Sequence, residues 1–428
     1  MDSTAACLEA WMPQQRWYSA KATVPRLRTL AVHELASPDP HARVRVHVVV
    51  DDAVDPAVTY QVPVVARPTA VTAEPEHIVG TLPDGTVLID GPHDPAYAAA
   101  LLDAIAPGTA APGTAAPATV LAGEQSNTSV IYAPAAGTPV IVKVFRRLQP
   151  GPNPEVELQS ALAEAGSPHV PRAVGHLETT WTDPGDAHRT ATGVAAFAQE
   201  FFPDVEDAWR VALVAAAAGE SFSAPAHALG AATAEVHLDL ARLLPVVPAG
   251  EQERGGVRAA WARRLGIAIA EVPALAAHRE AIAAVYARAD GIRWPALQRI
   301  HGDYHLGQVL QVPGRGWVVL DFEGEPMRPI DERRAPDAVA RDVAGMLRSF
   351  DYIAGALPEI PHVAEWAATA RRAFLGGYED RTGMPATGPL LDAFELDKAV
   401  YEAIYEARNR PDWLGIPLAA VERIIARD

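Results

Sequence analysis

Valine-rich alternation dominates the first two hundred positions of this chain, and helical spacing of apolar residues dominates the rest. Residues 4–18 predict a short helix ending in the aromatic cluster Trp11, Trp17 and Tyr18. The runs 27–34, 43–50 and 58–66 alternate in part and are rich in β-branched residues, which predicts strands of an antiparallel sheet. Leu82-Pro83-Asp84-Gly85, set between Ile78-Val79 and Val87-Leu88-Ile89, predicts a hairpin, because Asp-Gly readily adopts the positive φ of a tight turn. Residues 94–106 read as a helix. A small α+β unit over residues 1–105 is the expectation.

The low-complexity tract 106–117, with its repeated Ala-Pro-Gly-Thr-Ala, reads as a linker extended by proline and loosened by glycine. Strand-like Thr119-Val120-Leu121, a small polar loop at 123–129, Val130-Ile131-Tyr132, a turn at 135–138 and Val140-Ile141-Val142-Lys143-Val144-Phe145 come next. A helix should open at Asn153-Pro154-Glu155-Val156-Glu157-Leu158, since proline at a first turn loses no hydrogen bond. Residues 197–203 look like a last strand running into a hinge. This order is that of a kinase N-lobe, expected to span 106–203, with a mainly helical lobe at 204–428. The fold class expected is α+β, a protein-kinase-like bilobal fold with a β-rich N-lobe, a helical C-lobe and an N-terminal α+β cap.

Composition narrows the partners. The 428 residues carry 36 basic and 53 acidic side chains, a formal charge of −17. Nucleic acid and anionic membrane both demand a basic face, so neither is expected as a partner. The one cysteine, Cys7, excludes an intrachain disulfide, and no apolar stretch approaches the ~20 residues of a membrane span. Without a basic region before an apolar stretch at the N-terminus, a cytoplasmic location is the expectation.

The chemistry concentrates in Arg299-Ile300-His301-Gly302-Asp303-Tyr304-His305-Leu306-Gly307-Gln308 and in Asp321-Phe322-Glu323-Gly324-Glu325-Pro326. Asp303 stands five positions before Gln308 and eighteen before Asp321 (321 − 303). Phosphoryl transfer needs a carboxylate to orient the attacking hydroxyl, plus hard oxygen ligands that hold Mg²⁺ against the phosphates. Asp303 suits the first role, and Gln308, Asp321 and Glu323 the second. A lone Asp is usually a cap or a surface acid; several groups at this spacing make that reading weak here. His301 is expected to hold the loop and border the substrate, and His305 to be structural. Lys143, inside an apolar strand, is costly unless its amine meets an anion, so phosphate contact with an acidic helix partner is expected. The partner is Glu157 or, second, Glu155. Arg146 and Arg147 read as a solvated edge. Ser126 and Asn127 in the polar loop are candidate phosphate caps, although an ordinary hairpin turn fits equally well. Gln199 and Phe201 fall where backbone groups would meet adenine.

Near the C-terminus, Lys398, Glu402, Tyr405, Glu406 and Asn409 recur at helical spacing before Pro411, with Asp412 and Trp413 just beyond. Such clusters are usually a solvated charged face. Tyrosine and asparagine ended by tryptophan also suit a sugar, whose pocket needs aromatic platforms and convergent polar groups.

Together with Trp11-Met12-Pro13-Gln14-Gln15-Arg16-Trp17, the loop 123–129 and Asn153-Pro154-Glu155, these motifs resemble actinobacterial maltokinases and the related glucosamine kinases across nearly the whole chain. The resemblance implies ATP as co-substrate, Mg²⁺ and a small sugar. Maltokinases usually continue the early Arg-Trp with a Phe-Gly-Gly-Lys-Gly type of sequence, where this chain has Tyr18-Ser19-Ala20-Lys21-Ala22. That divergence, with Glu406 and Asp412 available to an ammonium, favours glucosamine phosphorylated at its 6-hydroxyl. Maltose 1-phosphate formation is the first alternative, and an aminoglycoside phosphotransferase the second. A pseudokinase or binding module would not require Lys143, Asp303, Gln308, Asp321 and Glu323 together.

Overall fold

The structure is a computed structural model that describes residues 3–21, 23–68, 73–108, 118–121, 126–134, 137–326 and 328–427. The chain divides into two compact units, Met1–Glu157 with Arg172–Pro203, and Leu158–Pro171 with Asp204–Asp428. Residues 109–117 of the linker expected at 106–117, Gly123, Glu124 and Gln125 of the polar loop, and 135–136 of the expected turn lie outside the described residues.

In the first unit α1 (Thr4–Trp11) precedes β1 (Leu27–Leu35), β2 (Arg43–Asp51), β3 (Val58–Arg67), β4 (Ile78–Thr81) and β5 (Val87–Asp90). These strands form an antiparallel sheet in the order β1-β2-β3-β5-β4. The helix expected over 4–18 stops at Trp11, because Pro13 breaks the pattern and a short 3₁₀ turn follows. After α2 (Pro95–Ile105) come β6 (Ala118–Val120), β7 (Thr128–Tyr132), β8 (Val140–Val144), α3 (Pro154–Glu164), β9 (Ala173–Asp183) and β10 (Asp186–Glu200). The second sheet runs β6-β7-β8-β10-β9.

Strand periodicity explains how this unit holds together. Val62 and Val64 face the aromatic cluster of Trp11, Trp17 and Tyr18, while Val44, Val46 and Val65 face the other way. There they share one core with Tyr97 and Leu101 of α2 and with Val130, Val142, Val144, Ala196 and Ala198 of the second sheet. Arg146 corrects the solvated-edge reading. It is fully buried, and its guanidinium donates to both oxygens of Asp90 (2.9 and 2.8 Å) and to Thr128 Oγ1 (2.9 Å). It also stacks over Trp17, 4.9 Å from the ring. A charge this deep persists only with such partners. Its neighbour Arg147 is exposed, as expected.

The second unit is helical: α4 (Ala208–Ala218), α5 (Ser223–Leu243), α6 (Glu251–Glu271), α7 (Arg279–Asp290), a hairpin of β11 (Val309–Val312) and β12 (Gly316–Val319), then α8 (Ile330–Arg334), α9 (Ala340–Ala356), α10 (Val363–Thr382), α11 (Pro389–Asn409) and α12 (Gly415–Ile425). Helix α11 lies at its centre, against α6, α7, α9 and α12. Its inner positions Leu396, Ala399, Val400 and Ala403 are fully buried, and each large apolar side chain so placed contributes roughly 1.5–3 kcal/mol. Among the described residues no helix is long and apolar enough to cross a membrane.

Candidate active site

In the first unit, β8 presents Lys143 and the first turn of α3 presents a carboxylate. The pair is Lys143 Nζ to Glu155 Oε2 at 2.9 Å, with Glu155 almost wholly buried. Glu157 is therefore not the partner expected. Two residues apart on a helix point to nearly opposite sides, so one of the two acids can reach the strand. Asn153 fixes the choice by accepting the backbone N–H of Glu155 (2.8 Å) and of Val156 (3.3 Å), which caps the helix start. Gln199 lies at the end of β10, and Phe201 donates its backbone N–H to Pro139 O at 2.8 Å. Of the polar loop, Ser126 is exposed and Asn127 half-buried.

In the second unit the β11–β12 hairpin sets the catalytic segment. Its register pairs Val309 with Val319, and Leu320 donates to Gln308 O at 2.9 Å, so Gln308 and Asp321 emerge side by side. The Gln308 amide nitrogen is 3.3 Å from Asp321 Oδ2. The carboxylate oxygens of Asp321 and Glu323 approach within 4.8 Å. Asp321 has φ 64°, a left-handed conformation that Asp tolerates better than most residues and that turns its carboxylate out of the strand line. The backbone of the Asp303 loop meets that of the Asp321 turn at two glycines. Gly302 has φ +84°, and a Cβ there would come 3.2 Å from Gly324 Cα. A side chain would push the two segments apart.

Asp303 itself sits on a tightly tied loop. Asp342 of α9 accepts the backbone N–H groups of His301 and Gly302, each at 2.8 Å. His237 of α5 reaches the same carboxylate with Nε2 at 3.0 Å, and its Nδ1 lies 2.9 Å from Tyr378 OH. Burial would raise the Asp342 pKa, but hydrogen bonding and attraction from His237 and the pull of His301 hold it below its usual range. His301 places Nε2 2.7 Å from Leu320 O, and its Nδ1 accepts the Asp303 N–H at 3.3 Å. With both nitrogens engaged by backbone, His301 is a loop clamp rather than the sugar contact also expected of it. His305 has the structural role expected, its Nδ1 accepting Gly307 N–H at 3.1 Å, and burial holds its imidazole below the usual range.

The residues expected to contact sugar do not converge. Lys398 places its ammonium 2.6 Å from Glu325 Oε1 and 3.3 Å from Asp303 Oδ1. Glu402 is buried against Arg348 (Nη2 2.7 Å), and Glu406 receives Tyr352 OH (2.9 Å) and the Arg410 guanidinium (2.6 and 2.9 Å). Both carboxylates are occupied, which removes Glu406 as a ready partner for a substrate ammonium. Tyr405 and Asn409 instead line a cavity of about 490 Å³ with Tyr401, Arg264 and Glu325. Asp412 and Trp413 line a different, open groove, where Trp413 stacks on Tyr352 with ring centroids 6.2 Å apart.

Sequence reasoning missed Asp342, His237 and Glu325. The available signal was weak: Arg341-Asp342 interrupts an otherwise apolar helix face, and a buried acid demands a partner. Glu325 stands in the quoted motif, but its lysine is seventy-three residues away (398 − 325).

Comparison with known proteins gives this geometry a lineage. The phosphotransferase enzyme family matches residues 117–375, and the maltokinase N-terminal cap domain matches residues 11–94. The chain belongs to the phosphotransferase enzyme family. A glucosamine kinase of Mycolicibacterium smegmatis is 31% identical to this phosphotransferase over 394 residues, covering 84% of it and 96% of the relative. A second glucosamine kinase, from Streptacidiphilus jiangxiensis, is 31% identical over 318 residues, 69% of this chain and 70% of that one. Among solved structures, a glucosamine kinase in complex with glucosamine, ADP and inorganic phosphate superimposes with a TM-score of 0.69 at 26% identity, covering 99% of each chain. A further crystal form of glucosamine kinase gives a TM-score of 0.72 at 24% identity over all of both chains, a likeness of fold.

Proposed function

We propose that this phosphotransferase is an ATP-dependent glucosamine kinase that forms glucosamine 6-phosphate and ADP. The observation that carries the reading is the loop of Asp303, locked by Asp342 and His301 and flanked by Gln308, Asp321 and Glu323. Kinship with glucosamine kinases over most of the chain supports the choice of sugar.

Catalysis in this reading is positioning and electrostatics. Asp303 orients the sugar hydroxyl and accepts its proton as the oxygen bonds to the γ-phosphorus and the bond to ADP breaks. In the first unit Lys143, fixed by Glu155, is a cation suited to ATP phosphates. Gln308, Asp321 and Glu323 would hold Mg²⁺, and their all-oxygen donor set fits a hard cation once the Gln308 amide turns its oxygen inward. Bound there, Mg²⁺ would neutralise phosphate charge. The cavity edged by Tyr405 and Asn409 is large enough for a monosaccharide and is the proposed place of the sugar.

ADP release by purified protein, supplied with ATP and Mg²⁺ and separately with glucosamine, maltose, glucose or kanamycin, tests the proposal. Turnover on glucosamine with little on the others is expected. Turnover on maltose alone would replace it with maltose 1-phosphate formation.

A further inference from the structure

We infer that Lys398 is a positioning residue for the transfer step: its ammonium, delivered from α11, fixes the carboxylate of Asp303, and Glu325 fixes the ammonium. The inference rests on the kinase reading above and deepens it. The two contacts are unequal in a telling way. Nζ makes a short bond, 2.6 Å, to Glu325, whose side chain is 4% exposed, and a longer one, 3.3 Å, to Asp303, which is 23% exposed. Glu325 is the fixed end and Asp303 the working end.

The surrounding charges keep this arrangement ionised. Burial alone would strip the proton from Lys398, but Glu325 and Asp303 outweigh it and hold the amine above the ordinary lysine range. Glu325 is buried and meets the Lys398 ammonium at 2.6 Å, so each ion of the pair has its partner. Arg341 is committed elsewhere, its Nε bonded to Asp337 Oδ2 at 2.7 Å. A lysine present only to neutralise Glu325 would need no second carboxylate. Here the same ammonium also meets the acid that the chemistry requires.

The consequence is geometric. With its backbone tied through His301 and its Oδ1 held by Lys398, the Asp303 carboxylate has one defined rotamer, and Oδ2 is the oxygen that meets the substrate. The sugar hydroxyl bonds to the γ-phosphorus, the phosphorus bond to the ADP oxygen breaks with its electron pair going to ADP, and the hydroxyl proton passes to Oδ2. Lys398 keeps its own protons throughout.

Lys398→Met combined with Glu325→Gln removes both charges of the buried pair together, while Arg341 and Arg264 keep Asp337 and Asp397 as partners. This double variant is expected to lose about 10²-fold in kcat, the scale of a misplaced catalytic group, while the KM for ATP stays near the wild-type value. Added to Asp303→Asn, the same two substitutions should cause no further loss, because the group they position is already gone. Wild-type kcat in the double variant would overturn the inference, as would a full independent loss in the Asp303→Asn background. If the wild type phosphorylates another sugar in place of glucosamine, the substrate proposal fails, while the same comparison on that sugar still decides the role of Lys398.

Discussion

The Asp303 loop and the last turns of α11 are equally rich in polar side chains, but those side chains do opposite work. Around Asp303 they bind backbone: Asp342 takes two loop N–H groups, and His301 spans Leu320 O and the Asp303 N–H. The loop is over-determined, and its carboxylate is presented to substrate at little cost in ordering. Along α11 the polar groups bind one another or neighbouring helices. Glu402 goes to Arg348, and Glu406 to Tyr352 and Arg410. Polar residues that organise a loop create a site, whereas polar residues at helical spacing on a central helix more often hold helices together.

The largest effect should come from Asp303→Asn, which keeps the shape of the loop and removes the carboxylate. A fall in kcat of roughly 10²–10⁴-fold is expected, with ATP binding measured calorimetrically close to wild type. Near-normal turnover would erase the contrast between loop and helix, since Asp303 would then be one more structural acid. Next in size, Glu155→Gln should lower kcat/KM by about 10²-fold by freeing Lys143 from its fixed position. Glu157→Gln, two residues along the same helix, should leave kcat/KM unchanged in the same assay. Equal losses would mean that the ion pair at 2.9 Å is not what orders Lys143.

Local spacing was enough to read the loop because its partners are close in sequence. His301, Asp303, Gln308, Asp321 and Glu323 fall within twenty-three residues (301 to 323), and the β11–β12 hairpin folds that stretch onto itself. The strands of the first sheet were legible for the same reason, since alternation needs no distant information. Partners remote in sequence were not legible. Asp342 lies forty-one residues from His301, Arg348 fifty-four from Glu402, and Asp90 fifty-six from Arg146. A side chain's charge announces that a partner exists but not where it is. Arg146 was misjudged as solvated for that reason, and Glu402 and Glu406 as free to meet a sugar. The choice between Glu155 and Glu157 failed differently: helix phase decides it, and a shift of one residue in the assumed start reverses the answer.

The contrast can be sharpened by stability rather than turnover. Glu402→Ala takes one carboxylate from the fully buried Arg348, which keeps Asp351 at 2.6 Å. The expected cost is about 3 kcal/mol in urea unfolding, the low end for breaking a buried pair, with kcat within experimental error of wild type. A large loss of kcat at unchanged stability would instead return Glu402 to the active site.

The smallest effect separates two acids on α11 itself. Burial would raise Glu395, but Arg371, Arg427 and Arg423 outweigh it and hold its pKa at about 2. For Glu402 burial wins over Arg348, and its pKa lies above the usual 4.5. The signs are opposite. A depressed carboxyl binds fewer protons folded than unfolded, so Glu395 contributes stability that is present above pH 4.5 and is lost as the pH falls towards 2. A raised carboxyl binds more protons folded, so the contribution of Glu402 is present below 4.5 and declines as the pH rises through its folded value. Urea midpoints measured from pH 3 to 6 should therefore fall less steeply on acidification in Glu395→Gln than in wild type, and more steeply in Glu402→Gln. Parallel curves for all three proteins would show that the arginines of this network, not the protonation of its acids, set the stability of the helix that carries Lys398.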